Sequence, residues 1–172
     1  MTTITRVRGH DHATLEAVGA LRLRAWVPIV GRPAAALRFG IDEHDADAWH
    51  CVAHHEGDLV AAGRLTVHVD FEDLPERASF GPHVASIRPP FGLASRLVVD
   101  PSHEHHGFAE LIIVDRLVLA VDLGLTEVWG ETRRSQVAGL IRHGYRVVGP
   151  STDHSVPGEW FILRAPLDPS PR

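Results

Sequence analysis

The segment from Ser95 to Ala109 holds the residues whose types and spacing are best suited to chemistry. A β-prone run ends at Asp100, Pro101 follows, and a polar loop leads to Gly107, where an apolar helix is predicted to begin. Such a junction directs backbone N–H groups and the positive end of the helix dipole towards one point. Gly107 and Ala109 add little bulk there, so the backbone can approach a ligand closely. The segment predicts a pyrophosphate-sized anion site, although a strand, loop and helix with one glycine also fit a plain connection.

The elements around this segment alternate between helices and strands. We predict helices at 13–27, 34–39, 107–123 and 134–143, strands at 50–54, 59–69, 94–100, 126–130, 145–149 and 160–164, a loop at 42–47 and a long surface connection at 71–91. The β-α-β-α-β order from residue 94 to 149 indicates an α/β fold with a parallel or mixed sheet flanked by helices. The Pro-rich end, residues 166–172, is predicted to be frayed.

Length and composition favour one globular domain across residues 1–172 and exclude several partner classes. The chain has 172 residues, 44% of them hydrophobic, and no run long enough to span a membrane, so we expect a cytoplasmic protein without a membrane partner. Its net charge of -5 argues against nucleic acid. Cys51 is the only cysteine and lies in a predicted strand, which favours a buried structural thiol over a nucleophile.

Val99 and Pro101, followed by Gly107-Phe108-Ala109, resemble the central motif of the GNAT N-acetyltransferase family, a strand ending Val-x-Pro and then Arg/Gln-x-x-Gly-x-Gly/Ala and a helix. The resemblance extends to residues 60–65 and 140–149, in the family's order. It implies a single GNAT-like domain with a mixed, mostly antiparallel twisted sheet flanked by helices. It also implies transfer of an acyl group from acetyl-CoA or another acyl-CoA to a small-molecule amine by direct attack. The donor contacts that it implies are Leu97, Val98, Val99, Glu104, His105, His106, Gly107, Phe108, Ala109 and Arg133.

The sequence departs from the family pattern inside this motif and beyond it. Glu104 stands where the family has Arg or Gln, and an acidic side chain beside a pyrophosphate is unfavourable. Cationic forms of His105 or His106 could offset that charge. The family's tyrosine, which protonates the leaving thiolate, is replaced by Leu140, and Tyr145, the only tyrosine, is interpreted as a core aromatic. Water could then protonate the thiolate, because thiols have an ordinary pKa near 8.5.

Glu131 and Arg133, which follow the predicted strand at 126–130, are further candidates for site residues. Glu131 follows that strand directly, and because strand ends beside the donor groove face the reaction centre in this family, we predict it as the catalytic base. A surface carboxylate is the alternative. Arg133 could contact donor phosphate or be solvated.

A scattered charged set resembles the signature of a branch of this family, the acyl-homoserine-lactone synthases and N-acyl amino acid synthases. Its members here are Arg24, Asp42, Asp45, Arg64 and Arg96. This resemblance implies that Arg64 and Arg96 bind the substrate and that acyl carrier protein could replace CoA in the donor. Leu93 departs from the branch, which has glutamate there. A structural ion-pair network is the competing interpretation.

The thirteen histidines are interpreted as pH-dependent surface charge rather than as a metal site. Three classes of function stay open: an active N-acyltransferase, a degenerate GNAT fold that binds acyl thioesters without catalysis, and an unrelated α/β binding domain. A homodimer is also left open.

Overall fold

A computed structural model describes residues 1–72, 74–75, 77–153 and 157–168. The strands are β1 (Thr2–Arg8), β2 (Trp49–His55), β3 (Asp58–His68), β4 (Phe91–Val99), β5 (Glu127–Arg133), β6 (Arg146–Pro150) and β7 (Trp160–Pro166). The helices are α1 (His12–Val30), α2 (Arg32–Phe39), α3 (Arg77–Phe80), α4 (Phe108–Asp122) and α5 (Arg134–Arg142).

The seven strands form one sheet in the order β1-β2-β3-β4-β5-β7-β6. Strand β4 pairs with β5 in parallel, whereas β1 with β2, β2 with β3, β5 with β7 and β6 with β7 are antiparallel. The predicted fold class, α/β with a mixed and mostly antiparallel sheet flanked by helices, is therefore confirmed. No helix in the described part of the chain is long and apolar enough to cross a membrane.

The chain divides into two compact units. The first unit comprises Met1–Thr66 with Arg96–Arg116, and the second comprises Val67–Ser95 with Leu117–Arg172. Each unit has its own apolar cluster. That of the first is built on Val18, Leu21, Val52, Ala62 and Val98, and that of the second on Leu74, Phe80, Ile87, Phe91, Leu93, Trp129 and Ile162.

Local sequence explains the first elements of the first unit. Asp11 caps α1 by accepting a hydrogen bond from the Thr14 N–H (3.2 Å), one of the first-turn N–H groups that have no partner within the helix. In the turn between β2 and β3, Glu56 and Gly57 both have positive φ (54° and 97°), as a two-residue hairpin turn of matching twist requires. The predicted hairpin is confirmed.

Strand β3 lies very close to helix α4 in the first unit, because Gly63 has no side chain. A Cβ atom at Gly63 would lie 2.6 Å from the Ile112 side chain and 3.2 Å from the Arg116 guanidinium. The buried Arg116 guanidinium lies beside Gly63 and donates a hydrogen bond to the backbone carbonyl of Arg64 (3.4 Å). The start of α4 is thereby held against the sheet.

Several boundaries differ from the predicted ones. Strand β1 was not predicted, because its Thr and Arg residues give no apolar alternation and most of the strand is exposed. Strand β5 continues to Arg133, three residues further than predicted, and β7 reaches Pro166, the first residue of the predicted frayed tail. Residues 169–172 of that tail lie outside the described residues. The predicted loop at 42–47 contains a 3-10 turn, and the connection at 71–91 contains α3 and a second 3-10 turn.

Candidate active site

The loop between β4 and α4 is shaped first by Asp100. Its carboxylate accepts hydrogen bonds from the N–H (3.0 Å) and the hydroxyl (2.6 Å) of Ser102, which closes a short 3-10 turn. Arg24 pairs with the same carboxylate at 3.1 Å. The hydrogen bonds from Ser102 lower the pKa of Asp100 below its ordinary value, and Arg24 adds to this effect. The start of the loop is therefore fixed by an ionised carboxylate.

Two left-handed residues then turn the chain into helix α4. His105 has φ 65° and Gly107 has φ 81°, a conformation that glycine adopts without steric cost. The helical ladder begins with the bond from the Leu111 N–H to the Gly107 carbonyl (3.1 Å), so the N–H groups of residues 108–110 precede it. These donors and the positive end of the dipole of α4 form an arrangement that can bind an anion such as a phosphate.

The predicted donor-contact residues of the first unit fall into three groups by burial. Leu97 and Val99 on β4, and Gly107 and Ala109 at the start of α4, are half-buried, while Val98 and Phe108 are in the core. Glu104, His105 and His106 are exposed. The Glu104 side chain can therefore point into solvent, which reduces the repulsion expected at this position.

A group of aromatic rings lies beside the loop. Phe108 contacts His55, His103 and His106, with ring centroids 5.4, 6.0 and 6.3 Å away. His106 Nδ1 also hydrogen bonds to the backbone carbonyl of Glu104 (2.8 Å), which fixes its ring. Within the described residues, no group of three or more His, Cys, Asp or Glu side chains is arranged to hold a metal ion.

Strand β4 contains a backbone irregularity at Arg96, which has φ 54°. A left-handed residue with a Cβ costs about 1–2 kcal/mol relative to the ordinary regions, and it is uncommon inside a strand. The conformation reorients the two peptide groups that flank Arg96, as in a β-bulge. Irregularities of this kind are over-represented next to active sites.

The side chain of Arg96 belongs to a cluster of charged residues, which we call the charged cluster: Arg22, Asp42, Asp45, Arg64 and Arg96. Asp45 accepts from both terminal nitrogens of Arg22 (each 2.9 Å) and lies 3.2 Å from Arg64. Asp42 bridges Arg64 (2.5 Å) and Arg96 (2.8 Å). The side chains of Arg22, Asp45 and Arg64 are fully buried, whereas that of Arg96 is 11% exposed.

Burial and pairing oppose each other in setting the pKa values of the charged cluster. Burial raises the pKa of Asp45, but hydrogen bonds and charge from Arg22 outweigh it, so the net value lies well below the ordinary one. Burial likewise raises the pKa of Asp42, but the charge of Arg64 together with the hydrogen bond and charge of Arg96 outweighs it, so the net pKa is lowered. His50 donates from Nε2 to the Asp45 carbonyl (3.1 Å), and burial lowers its pKa. Both carboxylates are therefore charged and His50 neutral at neutral pH.

Arg22 is the member of the charged cluster that the sequence-based prediction lacks, because the family resemblance points to Arg24 instead. Arg24 is 53% exposed and pairs with Asp100, outside the cluster. A signal for Arg22 was present, since it lies four residues after Val18 and three before Ala25, on the apolar stripe of α1. An arginine on a core-facing stripe must find a buried partner, and Asp45 is that partner.

In the second unit, Glu131 lies inside β5 rather than just beyond it. It pairs in register with Ile162 of β7 and is half-buried. The predicted position of Glu131 just beyond the strand is therefore wrong, and its role as a base stays a prediction. Arg133, the last residue of β5, packs its guanidinium over the Trp160 ring at 5.3 Å, and burial lowers its pKa.

Two further residues of the second unit occupy the positions that departed from the family pattern. Leu140 is half-buried on α5, and its carbonyl accepts from the N–H of Tyr145 (3.2 Å). Tyr145 is only 3% exposed. Its position is that of a core aromatic side chain.

Cys51 is buried in β2, in the first unit. Burial and a hydrogen bond to Asp115 raise the pKa of its thiol to about 12. Asp115 is held in turn by Arg6 at 2.8 Å. A thiol in this setting is a structural group, since the thiolate is the nucleophilic form.

Comparison with known proteins defines the class of the fold. No protein-family model and no curated protein sequence matches the chain. Among solved structures, a Lactobacillus plantarum protein assigned as an N-acetyltransferase matches with a TM-score of 0.72 and 17% identity, over 97% of this chain and 99% of that chain. The fold is therefore that of the GNAT N-acetyltransferases, as the motif resemblance predicted.

Two further matches are an acyl-homoserine lactone synthase and an N-acyl amino acid synthase. The CoA-dependent acyl-homoserine lactone synthase BjaI gives a TM-score of 0.70 at 17% identity, over 98% of this chain and 84% of that chain. The N-acyl amino acid synthase FeeM from uncultured soil microbes gives 0.68 at 12% identity, over 96% and 92% of the two chains. At these identities the matches establish the fold.

Proposed function

We propose that this chain is a GNAT-type N-acyltransferase that acts as one domain and moves an acyl group from acyl-CoA to a small-molecule amine. The observation that carries the proposal is the continuous path from the left-handed Arg96 of β4, through the Asp100 turn, to the anion-binding start of α4 at Gly107. One end of this path suits a pyrophosphate and the other suits a thioester carbonyl.

The proposed donor is acetyl-CoA or a longer acyl-CoA. The N–H groups at the start of α4 would hold the pyrophosphate, and Leu97, Val98 and Val99 would line the arm that leads to the thioester. Two solved structures with this fold contain isobutyryl-CoA and isopentyl-CoA, respectively, which supports an acyl-CoA donor. Arg133 is a further candidate for phosphate contact, since its guanidinium keeps its charge at neutral pH.

The proposed reaction is direct acyl transfer. The amine nitrogen attacks the thioester carbon, peptide N–H groups of β4 stabilise the developing oxyanion, and the carbon–sulfur bond breaks. The amine loses a proton, for which Glu131 is the proposed acceptor, and the thiolate of CoA gains one from water. Leu140 supplies no acid, and none is needed at neutral pH because a thiol has an ordinary pKa near 8.5.

A second candidate, N-acyl amino acid synthesis with acyl carrier protein as the donor, is favoured by the charged cluster and by the match to FeeM. In that case Arg64 or Arg96 would bind the acceptor carboxylate. Arg96 is the better placed of the two, because the side chain of Arg64 has no exposed surface. A third candidate, acyl-thioester binding without catalysis, is favoured by Glu104 and Leu140.

Thermal denaturation with CoA, acetyl-CoA and longer acyl-CoAs tests the donor site. A ligand that binds only the folded chain raises the melting temperature, by an amount that grows with concentration over Kd. We expect a rise with at least one acyl-CoA. If no thioester, on CoA or on acyl carrier protein, changes the melting temperature, the donor site is disproved together with all three candidates.

Release of free thiol in the presence of an amine panel separates the three candidates. Release from acyl-CoA with neutral amines supports the main proposal. Release only with amino acids and acyl carrier protein supports the second candidate, and binding without release from any donor supports the third. The identity of the acylated product by mass spectrometry then defines the acceptor.

A further inference from the structure

The side chain of Arg96, whose backbone is left-handed, makes two contacts that can anchor it. The Arg96 guanidinium donates to the Asp42 carboxylate (2.8 Å) and lies over the ring of Phe39, 5.8 Å from the ring centroid. Both contacts come from the segment just after α1, because Phe39 ends α2 and Asp42 begins the next turn. A strained backbone conformation persists only where surrounding contacts determine it.

The two anchors of Arg96 are themselves fixed. Phe39 is 6% exposed and stacks on Trp26 of α1, with ring centroids 3.8 Å apart and planes 7° apart. Asp42 is held by the buried Arg64 (2.5 Å), and its carboxylate also accepts from the N–H of His44 (3.0 Å). The Arg96 guanidinium therefore contacts two side chains that are themselves held in place by other contacts.

We propose that Asp42 and Phe39 are positioning residues, which hold Arg96 in the left-handed conformation and so aim the peptide groups of β4 at the thioester carbonyl. This inference rests on the proposed function. It gives the Arg96 side chain the role of an anchor rather than of a substrate ligand. It also makes the segment from Phe39 to Asp42 a determinant of kcat.

Comparison of Arg96→Gly with Arg96→Ala tests the inference, because glycine adopts a positive φ without an anchor whereas alanine does not. We expect Arg96→Ala to lower kcat by at least about ten-fold, towards the hundred- to thousand-fold that the complete loss of an oxyanion donor costs. Arg96→Gly should lose clearly less kcat than Arg96→Ala, since glycine carries no Cβ strain. The Kd for acyl-CoA should change little in either variant. Equal loss of kcat in both variants would show that the guanidinium itself contacts the substrate, and would overturn the inference.

The anchors are tested by Asp42→Asn, which keeps the oxygen that accepts from His44 but removes the charge that holds Arg96. It should lower kcat more than it raises KM. In the Arg96→Gly background the same change should lower kcat no further, because the anchor is then redundant, although stability should still fall since the buried Arg64 loses a charged partner. A further loss of kcat in that background would contradict the proposed role of Asp42. Phe39→Leu should follow the same pattern with a smaller loss.

A spectroscopic measurement keeps this test separate from the test of acyl transfer. The carbonyl stretching frequency of bound acyl-CoA, labelled with ¹³C at the carbonyl carbon, should be lowered in wild type and in Arg96→Gly but not in Arg96→Ala. This readout needs no amine. If wild type polarises the carbonyl but releases no thiol, the proposed function fails while the inference stands, and an unchanged frequency in wild type overturns the inference.

Discussion

The charged cluster and the loop at residues 104–107 handle charge in opposite ways, although both lie in the same compact unit. In the cluster, the side chains of Arg22, Asp45 and Arg64 are fully buried and bound to partners of opposite charge. In the loop, Glu104 and His105 are exposed, and the donors that can meet a ligand belong to the backbone. Side-chain charge is thus used inside the architecture, whereas the proposed donor site relies on backbone dipoles.

The largest effect is expected from Asp45→Asn, which tests whether the cluster is architectural. The change leaves Arg22 and Arg64 buried with less compensation, and breaking a buried pair in this way costs about 3–5 kcal/mol. Denaturation in urea should show the loss of stability. Glu43→Gln, a neighbour whose side chain is 85% exposed, is the matched control and should be nearly neutral. Comparable stability of both variants would contradict an architectural role.

Gly107→Trp tests whether the loop receives the ligand through its backbone. We expect the affinity for acyl-CoA to fall by at least about ten-fold, because a bulky side chain would stand where the phosphates approach the N–H groups. Gly124→Trp, at the other end of α4, is the control, since Gly124 also has positive φ (73°) and a Cβ added there would meet no atom within 4 Å. It should lose similar stability and keep its affinity. Unchanged affinity of Gly107→Trp, measured by calorimetry, would refute the placement of the donor site.

The pH dependence of stability sharpens the comparison. Burial lowers the pKa of His50, so the unfolded chain takes up its proton first, and stability falls as pH drops below about 6.5. The pKa values of Asp42 and Asp45 are lowered, so their contribution to the stability of the fold is complete above about pH 4 and is lost below it.

Urea denaturation between pH 8 and 3 should show both stages of this loss of stability. His50→Gln, which keeps the donor to the Asp45 carbonyl, should remove the upper stage, whose slope is at most about 1.4 kcal/mol per pH unit. An unchanged upper stage would assign it to other histidines.

The smallest effect is expected from Glu104→Gln. Removal of one exposed negative charge beside the anion site should strengthen acyl-CoA binding by about two- to five-fold at low salt. The gain should shrink at high salt, where exposed charges are screened. Glu16→Gln on α1 removes the same charge elsewhere and serves as the control. If the two variants bind equally, Glu104 does not face the ligand.

Much of the architecture could be predicted from the sequence, because apolar periodicity and turn residues are local signals. The β2–β3 hairpin and helices α1, α2, α4 and α5 follow from them. Strand β1 could not be predicted, since its stability comes from pairing with β2 and not from its own pattern. The end of β5 was misplaced for a similar reason: its extension to Arg133 depends on pairing with β7.

The candidate site was predictable where sequence spacing determines geometry, and not where it depends on contacts between distant segments. The turn at Gly107 into α4 follows from the order of strand, glycine and helix. Arg22 lies on the apolar stripe of α1 and Arg24 does not, but the carboxylate with which each of them pairs comes from a distant segment of the chain. The left-handed conformation of Arg96 gave no signal at all, because an arginine in a β-prone run is expected to be extended.

The position of Cys51 has a practical consequence for detecting turnover. The chain carries a single thiol, and that thiol is buried with a pKa raised to about 12. Under native conditions the Cys51 thiol should not react with disulfide reagents. A colorimetric assay for released CoA would therefore have almost no background from the protein. For the same reason, a cysteine introduced on the surface would be the only reactive one, and a probe of conformational change could be attached without removing any native residue.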